Sequence, residues 1–458
     1  MTFAPPELIL HRARKVDVDG EHPDAWIAVT DGRISAVGTG GCWNTLVGDL
    51  TEVVDADGDR VSPGLIDLHM HGGGGATVDD GATASRVAIA AHRAHGTTRA
   101  LLSFVSAPVP DLVARLSWAR ELVAEDPTVL GAHLEGPFLS PERKGAHQEA
   151  ALREPGTDVV AALIEAGRGV LRQITIAPEL PGALDAIAAF SAAGVVPAVG
   201  HTTADLEHTE RAFDAGARLL THAFNAMPGL GHRAPGPVAA AFDRPEVTLE
   251  LILDGVHLDA RIAALAFALA PGRVALITDA MAAAGEGDGD YQLGGLDVSV
   301  VAGVARLSGS DTIAGSTLTL AQAIRRAVTE AHCTPSAAVA AAAVPRSGLA
   351  AVGRVDADEA RQRQELHRFV EREALDGHRL EQRGRLGLVL GLDLLLTFGH
   401  LAHLDVRAEA TGLDHQHRLA VLAVHGCLRR RHTPAFLRVL FGKNAPIRHG
   451  GDLCGRIL

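Results

Sequence analysis

From Val61 onward the chain repeats one unit, a short apolar run ending on a polar residue, a loop, then an Ala-rich amphipathic segment. That rhythm is the signature of a parallel sheet with crossover helices. The apolar runs fall at Asp67–His71, Ala100–Val105, Leu130–Glu135, Ile174–Ala177, Val195–His201, Leu219–His222, Leu249–Asp254 and Val274–Asp279. Helical segments lie between them at Ala82–His95, Asp111–Glu125, Ala183–Ala193, Asp205–Ala215 and Asp259–Leu269, several closed by glycine as a C-cap requires. Eight strands in this alternation predict an α/β chain folded as a (β/α)8 TIM-type barrel. Catalytic groups in such barrels sit where strands end at the C-terminal face, so the polar residues that close these runs carry functional weight.

The 458 residues exceed a barrel of about 250 residues and leave room for a companion domain. Residues 1–60 read as a small β domain of sandwich type: Ala25–Thr30 and Ile34–Gly38 flank Asp31-Gly32-Arg33, a hairpin signal. The barrel is expected over 61–340. With 47% hydrophobic and 3% aromatic residues, its core falls to Leu, Val, Ile and Ala. A net charge of −13 argues against nucleic acid or an anionic membrane as partner and confines any anion site to a local pocket. Cys42, Cys333, Cys427 and Cys454 are scattered without CxxC spacing, so neither a disulfide framework nor a thiolate zinc site is indicated, which fits a reducing cytoplasm. The N-terminus lacks signal-peptide features, and the apolar stretch Leu386–Phe398 is short and broken by Asp393, so no membrane span is expected.

His69 and His71 close the first run. Side chains two apart on a strand share a face, so both imidazoles point to the barrel mouth, where one cation can accept both. The glycine run 72–75 permits close approach of backbone to a ligand, unless it is merely a flexible link. Glu135, bounded by Gly136-Pro137 and on the face of His133, is placed to ligate one metal or bridge two. His201 and His222 end two further strands and add imidazole ligands. Asp279 ends the last strand, where a carboxylate can take a proton from water and later pass it to a departing amine; a helix N-cap is its structural alternative.

The segments PGLIDLHMHG (63–72), HLEGPFLSPERKGAH (133–147), GHTTA (200–204), THAFNAMPGLGHRAPG (221–236), DGVHL (254–258), ITDAM (277–281) and AGSTLTL (314–320) resemble the N-acetylglucosamine-6-phosphate deacetylases of the amidohydrolase superfamily. The resemblance covers about residues 1–340, and its most discriminating stretches are Lys144–His147 and His222–Met227. It implies a divalent cation, zinc or iron, held by Glu135, His201 and His222, with His69 and His71 allowing a second that Glu135 bridges and Asp279 contacts. It also implies that His147 contacts the N-acetyl sugar. Asn225, Ala226, Arg233 and His257 would form the sugar-phosphate subsite, the last two reaching in from the partner subunit of a homodimer. The activity implied is deacetylation of a small sugar phosphate in amino-sugar catabolism and cell-wall recycling. The alternatives are another amidase or deacylase of the superfamily, or an inactive product.

Past about Ala343 the resemblance stops. The expected Asn-Pro-Ala helix start and the strands that return to the N-terminal domain are missing, and residues 341–458 form an Arg- and His-rich tail. A frameshift accounts for this most simply; a divergent extension is the other account. The tail histidines His400, His403, His415 and His417 lack strand-end placement and are read as compositional bias. Loss of the returning strands is expected to expose an edge of the small domain.

Overall fold

The computed structural model describes residues 5–343 and the pair Leu366–His367. By contact the chain divides into Met1–Gly387 and Leu388–Leu458, and everything described here belongs to the first unit. The tail histidines, Cys427, Cys454 and the 386–398 stretch lie outside the described residues.

The N-terminal strands β1 (Leu8–Asp17), β2 (Gly20–Thr30), β3 (Arg33–Thr39), β4 (Glu52–Asp55) and β5 (Arg60–Pro63) build one sheet. The β2–β3 turn uses Asp31 and Gly32 at φ 54° and 68°, the left-handed pair that a two-residue hairpin with native twist demands. β1 pairs β2 antiparallel along its length, while its other edge takes β4 on its first half and β5 on its second, both parallel. Leu10, Ala13, Ile27 and Val61 form one small core and Ile9, Trp26 and Ala28 another. β5 crosses the boundary expected at residue 60. The tail also contributes a strand where none was expected: Leu366–His367 pairs antiparallel with Ser62 and Pro63 of β5.

The eight-stranded sheet is wholly parallel in its ladders. It begins with β6 (Leu65–Met70), followed by the short hairpin β7 (Gly72–Gly73) and β8 (Ala76–Thr77). It continues through β9 (Thr97–Val105), β10 (Val129–Glu135), β11 (Leu171–Ile176), β12 (Val196–Val199), β13 (Leu219–Leu220), β14 (Thr248–Ile252) and β15 (Val274–Ile277). Each of these eight coincides with a run expected from sequence, and their spatial order is their chain order. No ladder joins β15 back to β6; the barrel is closed by the bridge Met70–Ala280 and by Asp279 N–H donating to the His69 carbonyl at 2.8 Å.

Around the sheet lie α1 (Ala82–Arg93), α2 (Val109–Glu125), α3 (Thr157–Ala166), α4 (Ala183–Ala192), α5 (Leu206–Ala215), α6 (Gly236–Phe242), α7 (Ala260–Leu269), α8 (Leu320–Thr329) and α9 (Pro335–Ala343). Asp205 and Asp259 cap α5 and α7 through their carboxylates, satisfying N–H groups that otherwise lack partners. The core between helices and sheet is aliphatic, with Leu101, Leu102, Leu112, Leu116 and Phe104 fully buried; each such side chain contributes about 1.5–3 kcal/mol. A three-stranded meander, β16 (Gly289–Leu293), β17 (Leu296–Val301) and β18 (Val304–Leu307), projects between β15 and α8. Among the described residues no helix is long and apolar enough to cross a membrane.

Candidate metal centre

The strand ends converge as the alternation of side chains requires. His69 and His71 leave β6, Glu135 ends β10, His201 and His222 follow β12 and β13, and Asp279 follows β15. All six are buried. Glu135 is the hub: its Oε1 lies 3.0 Å from His222 Nε2, 3.2 Å from His201 Nε2 and 3.5 Å from His69 Nε2, and its Oε2 lies 3.1 Å from His71 Nε2. Asp279 Oδ1 sits 3.3 Å from His71 Nε2 and 3.6 Å from His69 Nε2.

Hydrogen bonds on the far side of the rings decide what these atoms present. His71 Nδ1 lies 2.8 Å from the Ser103 carbonyl and His201 Nδ1 2.8 Å from the Arg143 carbonyl, so each donates there and turns a lone pair inward at Nε2. These inward nitrogens are crowded: His69 and His71 Nε2 are 3.0 Å apart, as are His201 and His222 Nε2, all beside two carboxylates. Such an array repels itself unless a positive charge sits among it. Tetrahedral nitrogen and oxygen ligands about 2.1 Å from a common cation stand roughly 3.4 Å apart, the scale of the spacings here. The donor set therefore fits a divalent cation. His69, His71 and Asp279 form one group within ligating reach, and Glu135, His147 and His201 form another.

The same demand for positive charge appears in the proton affinities. Burial raises the Glu135 carboxyl, yet the surrounding histidines outweigh it and hold it well below the usual carboxylate range. Asp279 is likewise lowered, burial being overcome by His69 and His71. Burial opposes protonation of His71, but its contacts to Asp279 and Glu135 prevail and carry it up to about 9.

His147 differs in kind. Its Nδ1 accepts the Ser106 N–H at 3.2 Å, so the neutral ring carries its proton on Nε2, 3.4 Å from Glu135 Oε2. Burial pushes its imidazolium down to about 4. Although it lies within ligating reach, this tautomer makes it a hydrogen-bond donor rather than a ligand. Gly145, at φ 55°, gives His201 room: a Cβ there would lie 3.1 Å from His201 Cε1. Gly72 and Gly73 are close-packed against backbone and side chain. A Cβ on Gly72 would stand 2.5 Å from the Ala76 carbonyl oxygen, and one on Gly73 3.0 Å from His92.

The centre opens into a cavity of about 410 Å³ whose lining includes His147, Asn225, Ala226, His257, Leu293 and Ile313. His257 lines the cavity of its own chain. Asp254 Oδ1 accepts the N–H groups of Val256 and His257, and Oδ2 holds His257 Nδ1 at 2.7 Å, turning the ring inward. Arg233 lies exposed on its loop and does not line the cavity in this single chain.

Several buried or half-buried groups around the cluster escape a reading of strand ends. Glu250, mid-run in β14, takes Gln173 Nε2 at 2.8 Å and lies 3.5 Å from His69 Nδ1. His133 sits under His69, held between Ser103 Oγ at 3.0 Å and Thr175 Oγ1 at 2.9 Å. Glu179 accepts Thr202 Oγ1, Thr203 N–H and Thr203 Oγ1, fixing the loop that follows His201. A lone charged residue inside an apolar run was the available signal for Glu250. His201, His222 and Asp279 share a further trait: all three have positive φ, at 48°, 29° and 48°, so the chain leaves each strand through a left-handed residue that carries a functional side chain.

Residues 60–344 match the amidohydrolase family model, and the chain belongs to that family of metal-dependent hydrolases. Within it, the chain is 36% identical over 335 residues to N-acetylgalactosamine-6-phosphate deacetylase of Escherichia coli O157:H7, covering 72% of this chain and 86% of that one. It is 35% identical over 313 residues to N-acetylglucosamine-6-phosphate deacetylase of Bacillus subtilis (strain 168), covering 66% and 77%. Among solved structures it superposes with TM-score 0.70 and 40% identity on an aspartate-to-alanine variant of N-acetyl-D-glucosamine-6-phosphate deacetylase from Mycobacterium smegmatis in complex with N-acetyl-D-glucosamine-6-phosphate. That match covers 76% of this chain and 90% of the other.

Proposed function

We propose that this chain hydrolyses the acetamide of N-acetylglucosamine 6-phosphate, releasing acetate and glucosamine 6-phosphate, as a cytoplasmic homodimer in amino-sugar catabolism and cell-wall recycling. The observation that carries the reading is the conjunction, in one cavity, of the Glu135 and histidine cluster, a neutral His147 donor and a low-lying Asp279 carboxylate.

Glu135, His201 and His222 would hold a divalent cation, zinc or iron, with His69 and His71 offering a second position, and such a cation would supply Lewis acidity for the hydrolysis. The protein does the rest. Asp279 is ionised and so accepts the proton that the attacking water must lose; it then returns that proton to the sugar nitrogen as the C–N bond breaks. His147 Nε2–H donates to the acetamide oxygen as negative charge gathers there, and its neutral state makes it a donor without competing for the cation. At the far side, Asn225, the backbone N–H of Ala226 and His257 would meet the sugar phosphate, with Arg233 of a second subunit adding a fork of donors.

The relative named for the galactosamine epimer leaves one second reading, the 6-phosphate of N-acetylgalactosamine. Acetate release from both epimers and from unphosphorylated N-acetylglucosamine, with metal analysis of the same sample, tests the proposal. A higher kcat/KM for the gluco 6-phosphate is expected. Preference for the galacto epimer would transfer the assignment to it, and equal activity without phosphate would overturn the sugar-phosphate subsite.

A further inference from the structure

The barrel's weakest seam runs through its chemistry. β6 carries His69 and His71 and β15 leads to Asp279, yet these two strands share no regular ladder. The Met70–Ala280 bridge and the backbone bonds from His71 N–H to the Ala280 carbonyl and from Asp279 N–H to the His69 carbonyl close the junction, and a buried carboxylate reinforces them. Asp67, fully buried, accepts the Thr278 hydroxyl at Oδ2 over 2.6 Å, and at Oδ1 it accepts the Thr278 N–H over 3.2 Å and the His69 N–H over 3.3 Å. A carboxylate is acceptor-only with four lone-pair directions, so it can take all three donors together.

The residues so gripped are neighbours of the working groups. His69 N–H belongs to a ligand, and Thr278 immediately precedes Asp279, whose own N–H reaches back to the His69 carbonyl. Ser316 completes the frame: its Oγ donates to the Thr278 carbonyl at 2.6 Å and its N–H to the Asp279 carbonyl at 2.8 Å. Asp279 therefore adopts its left-handed φ of 48° inside a frame of hydrogen bonds on both sides. Such a conformation is strained for a residue other than glycine and persists only where surrounding structure over-determines it.

We propose that Asp67, acting through the Thr278 hydroxyl, is a positioning residue that fixes Asp279 against His69 and His71. The proposal rests on the reading of Asp279 as the proton carrier. It does not require Asp67 to touch substrate, and it predicts that loosening the seam disturbs the His69, His71 and Asp279 group more than the Glu135, His201 and His222 group.

The decisive variant is Thr278→Val, which keeps the shape and removes the hydroxyl; Thr278→Ser returns it. Full-length protein is reconstituted with cobalt(II) and followed by visible absorption, cobalt titration, kcat and KM. Thr278→Val is expected to lower kcat about 10–100-fold with KM within about 2-fold, to weaken the second cobalt equivalent by a similar factor and to change the cobalt spectrum, while Thr278→Ser behaves as wild type. A folded Thr278→Val with wild-type kcat and cobalt spectrum, or a Thr278→Ser as impaired as Thr278→Val, overturns the proposal. Should Thr278→Val not fold, Asp67→Asn carries the test: the seam role expects a changed cobalt spectrum, and an unchanged one refutes it. Wild-type protein without deacetylase activity would sink the function proposed above, yet the cobalt readouts would still decide this inference.

Discussion

The two sides of the metal centre are built differently. Glu135, His201 and His222 stand at the ends of β10, β12 and β13, strands held on both edges by parallel ladders. His69, His71 and Asp279 stand at the one junction where the sheet lacks a ladder, so their mutual placement depends on a few backbone bonds supplemented by the side-chain bonds between Asp67 and Thr278. The first set is fixed by the fold. The second is fixed by a few contacts, and its geometry is correspondingly easier to lose or retune.

Substitutions should separate the two sides. Glu135→Gln, which removes the charge all the histidines share, should abolish tight metal binding and lower kcat/KM by on the order of 10³-fold or more, as loss of several kcal/mol of Lewis-acid stabilisation implies. Metal analysis of the purified variant checks it; a fully loaded, active Glu135→Gln would break the view of Glu135 as hub. Asp279→Asn should lower kcat about 10²–10⁴-fold while metal at the Glu135 side stays bound, the scale of a lost acid–base group. Near-normal turnover with metal present would remove the proton-carrier role.

His71→Asn should be milder, about 10–100-fold in kcat, with metal content falling on the seam side only. Loss of all metal would show the two sides to be one cooperative site. The smallest effect belongs to His257→Gln, outside the ligand set. Burial lowers the His257 imidazolium, but its hydrogen bond to Asp254 prevails and the net shift is upward. The stability this gives is fully present below the ordinary imidazole value of about 6.5 and is lost as pH rises through the raised folded value. Melting temperatures of wild type should therefore fall over that alkaline interval, and those of His257→Gln should not; parallel curves for the two proteins would exclude the pair as the cause.

The convergence of His69, His71, Glu135, His201, His222 and Asp279 was legible in the sequence because each closes an apolar run, and a barrel brings those ends together at one face. Glu250, Gln173 and Asp67 were not legible as site components. Their place one layer below the ligands depends on the register between distant strands, such as β11 against β14 across the barrel interior, which no local pattern encodes. Gly72, at the head of the glycine run, is crowded by Ala76 and Ala282, a constraint that also depends on contacts between distant segments. His257 was expected from a partner subunit, whereas the Asp254 turn that tucks it inward lies within three residues of it. The meander β16–β18 breaks the barrel rhythm and had no counterpart in the repeated unit.

His201, His222 and Asp279 occupy left-handed backbone positions that any side chain beyond glycine fills at a cost, about 1–2 kcal/mol each. Relaxation of selection at this centre would thus find an easy path: glycine at any of the three relieves the backbone while erasing the chemistry. A lineage that no longer needed the reaction would be expected to lose these three side chains early, and to keep the barrel that once displayed them.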